Sequence, residues 1–411
     1  MILEYCHKRS FVLNCYDSAE INKRLLDMLT YASLNIEFYR DYFISTTGDY
    51  YNLPIIDKNI LIRDYNRFVG RKHNFSVISN WTSGTTGQPM RIQWGQSDYQ
   101  KSYYALWKRR KQWYNIMPYD RCLTFYSTTA NEFVDQTDNI IMQNNVMQIR
   151  KDAVYRNGIF SYWDYVNEFD PHWVLGPPSI IVELARYMES TGKCLKSLRY
   201  IELNGETVQT HTFVFLKNFF RVAISNLYGS IEFNGIALSC PQGHLHVLHE
   251  NVFVESYNKE LLITSLTNKH MPLIRYNIGD NGELDFIHCD CGCEGTIITN
   301  LHGRKSELIF LNNGHIPQAI FSRIIEEINQ LTIKVIQYQV VVYNNQRLVC
   351  LNLLVNEQYS KELLCQKQYY IHKLRELTNE AIDVKYNIAV FTQSQNFIRL
   401  ATEKIQEIVY L

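Results

Sequence analysis

The sequence predicts an α/β protein in which a large N-terminal domain, with mostly parallel sheets and a small β-meander, precedes a small C-terminal α+β domain. Short apolar strands alternate with helices over roughly the first 230 residues, which is typical of parallel sheets. Alternating β-type residues separated by turns then run from His244 to Asp285. A second pattern of helices and strands begins after Gly303, so the 411 residues divide into predicted domains at 1–303 and 304–411.

Helices of the large domain are predicted where apolar residues recur at three- and four-residue steps. These segments are Asp17–Phe43, Tyr99–Tyr114, Tyr162–Phe169 and Phe213–Phe220. Two further helices are expected to begin at the N-cap residues Asp57 and Ser179. Their side-chain oxygens can accept hydrogen bonds from the free N–H groups of a first helical turn.

Short apolar runs predict the strands Val77–Asn80, Cys122–Tyr126, Trp173–Gly176, Arg199–Leu203 and Val222–Leu227. In parallel sheets, ligands bind at the loops that follow the carboxyl ends of the strands. Four such loops are therefore expected to face one crevice, at Ser83, Pro177, Gly205 and Gly229.

The C-terminal domain is predicted from two helices and three strands. In chain order these are the helix Ala319–Ile328, the strands Val335–Tyr343 and Arg347–Val355, the helix Ser360–Leu377 and the strand Val384–Phe391. About a hundred residues is a sufficient length for an independent domain.

Composition excludes several classes of function. Lys+Arg and Asp+Glu are both 41, so the net charge is zero, which gives no support to a nucleic-acid or membrane partner held by bulk charge. The polar N-terminus and the lack of a long apolar run predict a cytoplasmic protein. Ten cysteines in a chain of this length do not indicate a disulfide scaffold.

One loop has the composition of a phosphate-binding segment. Hydroxyl residues and glycines fill every position from 82 to 87, and Pro89 follows. Glycine reaches positive φ and lets the main chain approach a ligand, so the loop can turn its N–H groups toward an oligophosphate. The hydroxyls of Ser83, Thr85 and Thr86 add donors. The segment is not the common P-loop, and a surface turn is the competing interpretation.

Cysteines and histidines cluster at two places, near the two ends of the predicted β-meander. Zinc prefers four Cys or His ligands in a tetrahedron, and a Cys₃His set is available. It consists of Cys240, His246, Cys289 and Cys291, with His244 and Cys293 as spares. The sequence therefore predicts a structural zinc site, and reduced cysteines at a tight turn are the competing interpretation.

Nine segments follow one another along the chain: those at 35–40 and 53–58, TSGTTGQP at 82–89, GPPS at 176–179, NGETV at 204–208, YGSIE at 228–232, IRYNIGD at 274–280, GR at 303–304 and EKIQ at 403–406. With these segments in this order, the chain resembles the adenylate-forming superfamily, and within it the phenylacetate–CoA ligase-like branch. The resemblance extends over nearly the whole chain, and some members of this branch carry a similar Cys/His set.

The resemblance implies an ATP site. Its residues would be Ser83, Gly84, Thr85, Thr86 and Gly87 for the β- and γ-phosphates, Gly205, Glu206 and Thr207 for the adenine pocket, Tyr228, Gly229 and Ser230 for the adjoining motif, and Asp280 for the ribose. The segment at 176–179 would belong to the acyl pocket. A turn residue is the competing interpretation for Asp280.

The resemblance also implies three catalytic residues. Glu232 would hold Mg²⁺, Arg304 would support the ribose or a phosphate, and Lys404 would bring positive charge between the carboxylate and the α-phosphate. The segment Gly303–Ser306 would act as a hinge that makes the C-terminal domain mobile. Glu232 as a solvated loop carboxylate and Lys404 as a solvated helix lysine are the competing interpretations.

The implied reaction joins a carboxylic acid to a thiol through an acyl-adenylate made from ATP. Coenzyme A is the expected acceptor, and a small aryl or arylacetic acid is the expected substrate. An amide-forming ligase or a carrier-protein acylase would use the same adenylate. A non-catalytic nucleotide-binding relic is the alternative of another class.

Four positions depart from the family pattern. Met90 stands where many members have lysine, and Ile231 replaces the hydroxyl residue before the glutamate. Ser306 occupies the position of the hinge carboxylate, and Glu403 replaces the glycine before the lysine. These departures do not forbid adenylation, and they keep the relic alternative open.

Overall fold

A computed structural model describes residues 19–45, 50–70, 76–81, 90–126, 139–151, 153–154, 159–208, 210–302, 308–311, 314–317, 319–330, 335–378, 384–393, 396–398 and 408–411. The chain forms two compact units. Unit 1 consists of Met1–Pro118 and Ser225–Arg304, and unit 2 consists of Tyr119–Ile224 and Lys305–Leu411. The division into domains at 1–303 and 304–411 remains a prediction.

The α-helices of the described residues are α1 (Ala19–Asn35), α2 (Glu37–Ser45), α3 (Lys58–Arg63), α4 (Tyr65–Phe68), α5 (Gln96–Ser102), α6 (Tyr104–Tyr114), α7 (Trp163–Phe169), α8 (Pro178–Thr191), α9 (Thr210–Phe220), α10 (Ala319–Gln330) and α11 (Glu357–Leu377). Short 3₁₀ turns occur at Tyr50–Asn52, Ile159–Tyr162 and Asn344–Gln346. Across these ranges, no helix has the length and apolar character needed to cross a membrane.

The strands are β1 (Val77–Trp81), β2 (Arg91–Gly95), β3 (Cys122–Tyr126), β4 (Ile140–Gln143), β5 (Val146–Arg150), β6 (Trp173–Gly176), β7 (Tyr200–Asn204), β8 (Ala223–Ser230), β9 (Asn234–Ser239) and β10 (Leu245–Val247). They continue with β11 (Val252–Tyr257), β12 (Glu260–Ser265), β13 (Tyr276–Cys289), β14 (Cys293–His302), β15 (Leu308–Leu311), β16 (Gly314–Pro317), β17 (Val335–Tyr343), β18 (Leu348–Val355), β19 (Lys385–Phe391) and β20 (Ile408–Tyr410). This mixed content confirms the predicted α/β class.

Unit 1 contains the predicted β-meander. Its strands lie in the order β11-β12-β13-β14-β10-β9-β8, and each neighbouring pair is antiparallel. A separate antiparallel pair, β1 and β2, packs near α5. Helices α1 to α4 contribute to the apolar core of this unit, which includes Leu29, Phe38, Phe68 and Trp94.

Several element boundaries differ from the sequence prediction in unit 1. The predicted helix 17–43 is two helices that meet at the fully buried Ile36, and the predicted helix 99–114 is α5 followed by α6. The Asp57 cap is confirmed, because its carboxylate accepts a hydrogen bond of 2.8 Å from the N–H of Ile60.

Unit 2 contains the predicted parallel sheet. Its order is β7-β6-β3-β5-β4, in which β3, β5, β6 and β7 are parallel and β4 is an antiparallel edge strand. The strands β3 and β6 have the predicted bounds. Helix α8 packs on this sheet through an apolar face that includes Ile180, Ile181, Leu184 and Ala185, because these positions recur at helical spacing.

The C-terminal part of unit 2 has its own sheet, β19-β18-β17-β20. The pair β17–β18 is antiparallel, whereas β18–β19 and β17–β20 are parallel. Helices α10 and α11 contribute apolar side chains to the core with this sheet, including Phe321, Leu363 and Leu374. The guanidinium of Arg186 in α8 donates hydrogen bonds to the carbonyl oxygens of Val355, at 2.7 Å, and of Thr392.

Candidate functional site

Asp280, the predicted ribose ligand, lies at an irregularity of strand β13 in unit 1. Pairing between β12 and β13 shifts from Leu262↔Asn277 to Glu260↔Asn281, so four residue steps of β13 face two of β12. Extra residues of this kind bend a strand and redirect its side chains. Gly279 has φ +87°, which glycine adopts without a steric cost. Asp280 therefore lies on a distorted part of strand β13.

Tyr228 contacts this carboxylate directly. Its hydroxyl donates a hydrogen bond of 2.8 Å to Oδ2 of Asp280. Strand β8 includes Tyr228, Gly229 and Ser230, so the strand continues beyond its predicted end at Leu227. A Cβ atom at Gly229 would lie 2.2 Å from the carbonyl oxygen of Asn234, so glycine is required where β8 turns toward β9.

Ser230 and Glu232 have polar side-chain groups for which the described part of the chain supplies no side-chain partner. The Oγ atom of Ser230 is buried, and none of the described residues forms a hydrogen bond with it. The side chain of Glu232 is buried, at 7% exposure, and no cationic side chain in the described ranges pairs with its carboxylate. Buried polar groups are normally hydrogen-bonded, and buried charges are normally paired. A bound ligand could supply the hydrogen bond that the Ser230 hydroxyl lacks among the described residues, and a bound cation could supply the counter-charge of Glu232.

Ile231 lies between these two residues and packs against the apolar core of unit 1. Its side chain cannot replace the hydroxyl that the family pattern has at this position. The hydroxyl of Ser230 is thus the remaining donor of this kind next to Glu232.

Sequence reasoning missed a buried network that supports the Asp280 segment. Arg275, at 5% exposure and φ +52°, donates to the carbonyl oxygens of Tyr51 and Leu53 at 2.7 and 2.9 Å. Its Nε lies 3.4 Å from the carboxylate of Glu255, which also accepts a hydrogen bond from the hydroxyl of Tyr50. Burial raises the pKa of Glu255. The only sequence signal was the position of Arg275 inside the IRYNIGD segment.

The adenine-pocket segment lies in unit 2, after strand β7. Gly205 and Thr207 are exposed, whereas both carboxylate oxygens of Glu206 are engaged by Ser179. The Ser179 N–H donates to Oε2 at 3.1 Å and the Ser179 hydroxyl donates to Oε1 at 2.9 Å. The prediction that Ser179 caps helix α8 is wrong, because the N-cap is Pro177 and Ser179 is a donor to a remote carboxylate.

The Cys/His cluster lies in unit 1, where the β9–β10 turn meets the β13–β14 turn. The potential ligand atoms of Cys240, His244, His246 and Cys289 are all within 4.8 Å of one another. The sulfur atoms of Cys240 and Cys289 are 3.7 Å apart, close to the about 3.8 Å expected for two thiolates on one tetrahedral zinc ion. These donors fit a zinc site of mixed Cys and His ligands.

Two residues are candidates for the fourth ligand of the zinc set, the predicted Cys291 and the predicted spare His244. His244, predicted as a spare, has its Nδ1 atom 3.2 Å from the sulfur of Cys289 and belongs to the compact group. Cys291 was predicted instead, and its sulfur lies 3.5 Å from Nε2 of His246. The structure therefore brings both candidates to the cluster.

The pKa values in the cluster reflect its crowding. Burial raises the pKa of Cys240, and burial together with the charge of His244 lowers the pKa of His246 to about 4. For Cys289, burial acts to raise the pKa, but hydrogen bonds from the Cys291 N–H and from His244 outweigh it and lower the pKa to about 7. A neutral histidine and a thiolate are the forms that bind zinc.

Seven predicted site residues lie outside the described residues. They are Ser83, Gly84, Thr85, Thr86, Gly87, Arg304 and Lys404. Their roles remain predictions.

Comparison with known proteins supports the resemblance at the level of the fold. No family model matches the sequence. The chain is 24% identical over 301 residues to Protein CapK of Staphylococcus aureus, an alignment that covers 66% of this chain and 64% of CapK. The chain therefore matches somewhat less than two thirds of the length of this relative.

Solved structures of ligases share the fold. One is 2-hydroxyisobutyryl-CoA ligase in the postadenylation state with 2-HIB-AMP, with a TM-score of 0.71 at 14% identity, covering 96% of this chain and 90% of that chain. Another is anthranilate CoA ligase AuaEII in complex with anthranoyl-AMP, with a TM-score of 0.52 at 15% identity, covering 82% of this chain and 67% of that chain. The chain has the fold of the adenylate-forming ligases.

Proposed function

We propose that the chain is an ATP-dependent, AMP-forming ligase that activates a carboxylic acid as an acyl-adenylate and transfers the acyl group to a thiol. The observation that carries this proposal is a set of polar side chains in unit 1: Tyr228, which is hydrogen-bonded to Asp280, and the buried hydroxyl of Ser230 and the buried Glu232, which follow it in the chain. It combines an oriented carboxylate, a buried hydroxyl without a described partner and a buried carboxylate without a described counter-charge. The shared fold with solved adenylate-forming ligases supports the same reaction.

The proposed roles follow from the chemistry of adenylation. A carboxylate must approach the α-phosphorus of ATP in line with the departing pyrophosphate, so negative charge has to be neutralised and the groups oriented. Asp280 would accept hydrogen bonds from the two ribose hydroxyls, and Ser230 would donate to a phosphate oxygen. The loop Ser83–Gly87 would bind the β- and γ-phosphates through its N–H groups.

Mg²⁺ would be held by Glu232, since a hard cation prefers carboxylate and phosphate oxygens. The ion would supply charge neutralisation at the triphosphate. Lys404 and Arg304 are proposed to add positive charge near the α-phosphate and the ribose. These two assignments rest on the motif resemblance.

The acceptor is proposed to be coenzyme A, and the acid a small aryl or arylacetic acid, as in phenylacetate–CoA ligase-like enzymes. The ligand named with AuaEII, an anthranoyl adenylate, is of this aryl class. An amide-forming ligase or a carrier-protein acylase would share every residue named above, so acceptors have to be distinguished by experiment. A cytoplasmic location is proposed together with this activity.

The Cys/His cluster is proposed to hold one structural Zn²⁺. Cys240, Cys289 and His246 would be joined by either His244 or Cys291 as the fourth ligand. A closed site with four protein ligands has no open position for substrate, so its contribution would be to the stability of the two turns.

The alternative is a non-catalytic nucleotide-binding relic. The packing of Ile231 against the apolar core favours it, because one phosphate contact of the family pattern is lost. Acid-dependent exchange of labelled pyrophosphate into ATP separates the two. Exchange with any acid in a panel of aryl, fatty and amino acids supports the ligase, and silence with all of them, while ATP still binds, supports the relic. Thiol and amine acceptors tested in parallel then identify the second half-reaction.

A further inference from the structure

We infer that Glu206 is a positioning residue that fixes the start of helix α8, and with it the acid-binding part of the site, instead of acting chiefly as a ligand of the nucleotide. The inference rests on the proposed function and deepens it. It revises the adenine-pocket role that the motif resemblance implies for Glu206.

The first turn of α8 has one backbone donor that local groups cannot satisfy. Pro178 has no N–H, and the N–H groups of Ile180 and Ile181 both donate to the carbonyl oxygen of Pro177. The N-cap Pro177 has no side-chain acceptor. The Ser179 N–H therefore needs an acceptor from elsewhere, and Oε2 of Glu206 supplies it at 3.1 Å.

The carboxylate serves the same residue twice. Oε1 of Glu206 also accepts the Ser179 hydroxyl at 2.9 Å, although the two residues are separated by 27 positions in the chain. Ser179 is fully buried, at 0% exposure, so loss of the acceptor would leave both of its donors without this partner. A negative charge at a helix N-terminus is also favourable for the helix dipole.

The two hydrogen bonds between Glu206 and Ser179, the Glu206–Ser179 bridge, connect segments that follow the carboxyl ends of two adjacent parallel strands. Strand β6 ends at Gly176 and leads into α8, and β7 ends at Asn204 and leads to Glu206; Gly176 pairs with Leu203 between them. Gly205, with φ +79°, turns the chain directly before Glu206. Carboxyl ends of parallel strands are where ligands bind in such sheets, so the Glu206 carboxylate sets the relative position of two segments of the site.

Because of these contacts, loss of the Glu206 carboxylate should affect binding of the acid and binding of the nucleotide differently. The segment 176–179 is proposed to border the acid, whereas the Glu206 side chain is committed to Ser179 through both oxygens. Removing the carboxylate should therefore loosen the acid-binding segment and leave the nucleotide contacts of unit 1 in place.

The test uses Glu206→Ala, Ser179→Ala and the double variant in pyrophosphate exchange, with the affinity for ATP measured separately by calorimetry. We expect each single variant to raise KM for the acid about tenfold, consistent with the loss of hydrogen bonds to a charged group. The affinity for ATP should stay within about twofold. The double variant should resemble Glu206→Ala, because Ser179→Ala removes only the hydroxyl bond, which Glu206→Ala already removes together with the bond from the Ser179 N–H.

Ser190→Ala is the matched control. It lies on the same helix, is exposed, and its hydroxyl bonds to the carbonyl oxygen of Tyr187 within the same turn. Glu206→Gln should raise KM for the acid less than Glu206→Ala does, since its amide oxygen can still accept one of the two hydrogen bonds.

A tenfold loss of ATP affinity in Glu206→Ala with an unchanged KM for the acid would overturn the inference, as would a Ser179→Ala variant identical to the unmodified protein. Failure of the proposed function looks different: no acid supports exchange in the unmodified protein. In that case the inference is tested by thermal unfolding of the unmodified protein, the two single variants and the double variant. Non-additive losses of stability would support the Glu206–Ser179 bridge, and additive losses would overturn it.

Discussion

The hydroxyl of Tyr228 donates a hydrogen bond of 2.8 Å to the Asp280 carboxylate, although 52 residues separate them in the chain. The bond joins strands β8 and β13 within unit 1. A carboxylate that binds two ribose hydroxyls has to present its oxygens in a fixed orientation, and this bond restricts its rotation. Tyr228 would therefore contribute to nucleotide binding through Asp280.

Tyr228→Phe removes the donor and keeps the ring. Hydrogen bonds to charged groups contribute about 1.5–3 kcal/mol, and the partial exposure of this pair places the effect at the lower end. We expect kcat/KM for ATP in pyrophosphate exchange to fall about tenfold. Tyr257→Phe, at an exposed position of β11, is the control, and equal values for the two variants would contradict the role of the bond.

Glu232→Gln keeps the shape of the side chain and removes the charge that would bind Mg²⁺. We expect the Mg²⁺ concentration for half-maximal exchange to rise and the maximal rate to fall about a hundredfold, as when one stabilising group is removed from the site of charge development. Glu20→Gln is the control, because this carboxylate lies in an exposed ion pair with Arg24. An unchanged Mg²⁺ requirement would mean that the buried carboxylate is structural.

Zinc binding can be tested together with the identity of the fourth ligand. Purified protein should contain about one zinc per chain, since a site of this kind holds one ion. Cys240→Ser should lose the metal, because Cys240 belongs to both possible ligand sets. His244→Ala and Cys291→Ser distinguish the sets: the variant that loses zinc and melts at a lower temperature identifies the fourth ligand. Metal-free protein with freely titrating thiols would contradict the site.

Gly229→Ala tests the close approach of β8 to the carbonyl oxygen of Asn234. A methyl group 2.2 Å from that oxygen requires a backbone shift, so we expect a marked loss of thermal stability and of pyrophosphate exchange. Gly192→Ala is the comparison, since Gly192 has φ +67° but open space around it and should cost only about 1–2 kcal/mol. Equal melting temperatures would show that the β8–β9 turn adapts.

Lys404→Ala tests the proposal that Lys404 acts in the first half-reaction only. A lysine between the carboxylate and the α-phosphate stabilises charge that develops during adenylate formation, and thioester formation has no such requirement. We expect pyrophosphate exchange to fall about a hundred- to thousandfold, while a supplied acyl-adenylate is converted to product at close to the normal rate. Equal loss of both half-reactions would indicate a role in folding or general binding.

Periodicity in the sequence predicted the regular elements well. Strands β3 and β6 have their predicted bounds, because a buried parallel strand reads as an uninterrupted apolar run. The bounds of long helices were predicted less accurately. The apolar pattern continues across Ile36, so the break between α1 and α2 leaves no signal in the periodicity. The hairpin β15–β16 and the pair β4–β5 were missed because their strands are short and lack a clear alternation.

The candidate site could be predicted only where residue type and motif order suffice. Asp280 and Glu232 followed from motifs, whereas the Arg275–Glu255 pair and the Glu206–Ser179 bridge depend on contacts between segments 20 and 27 positions apart. No local pattern encodes such pairings. The sequence also cannot decide between His244 and Cys291 as the fourth zinc ligand, because that depends on how the β9–β10 turn packs against the β13–β14 turn.

Trp113 gives the Cys/His cluster a further property. Its ring centroid lies 5.5 Å from that of His246, and the guanidinium of Arg109 lies 5.4 Å from the same indole ring. Indole emission responds to charge next to the ring, so loading the cluster with a cation should change the fluorescence of this one of the six tryptophans. A difference spectrum against Trp113→Phe isolates that signal, and unlabelled protein then serves as an optical sensor of its own metal content.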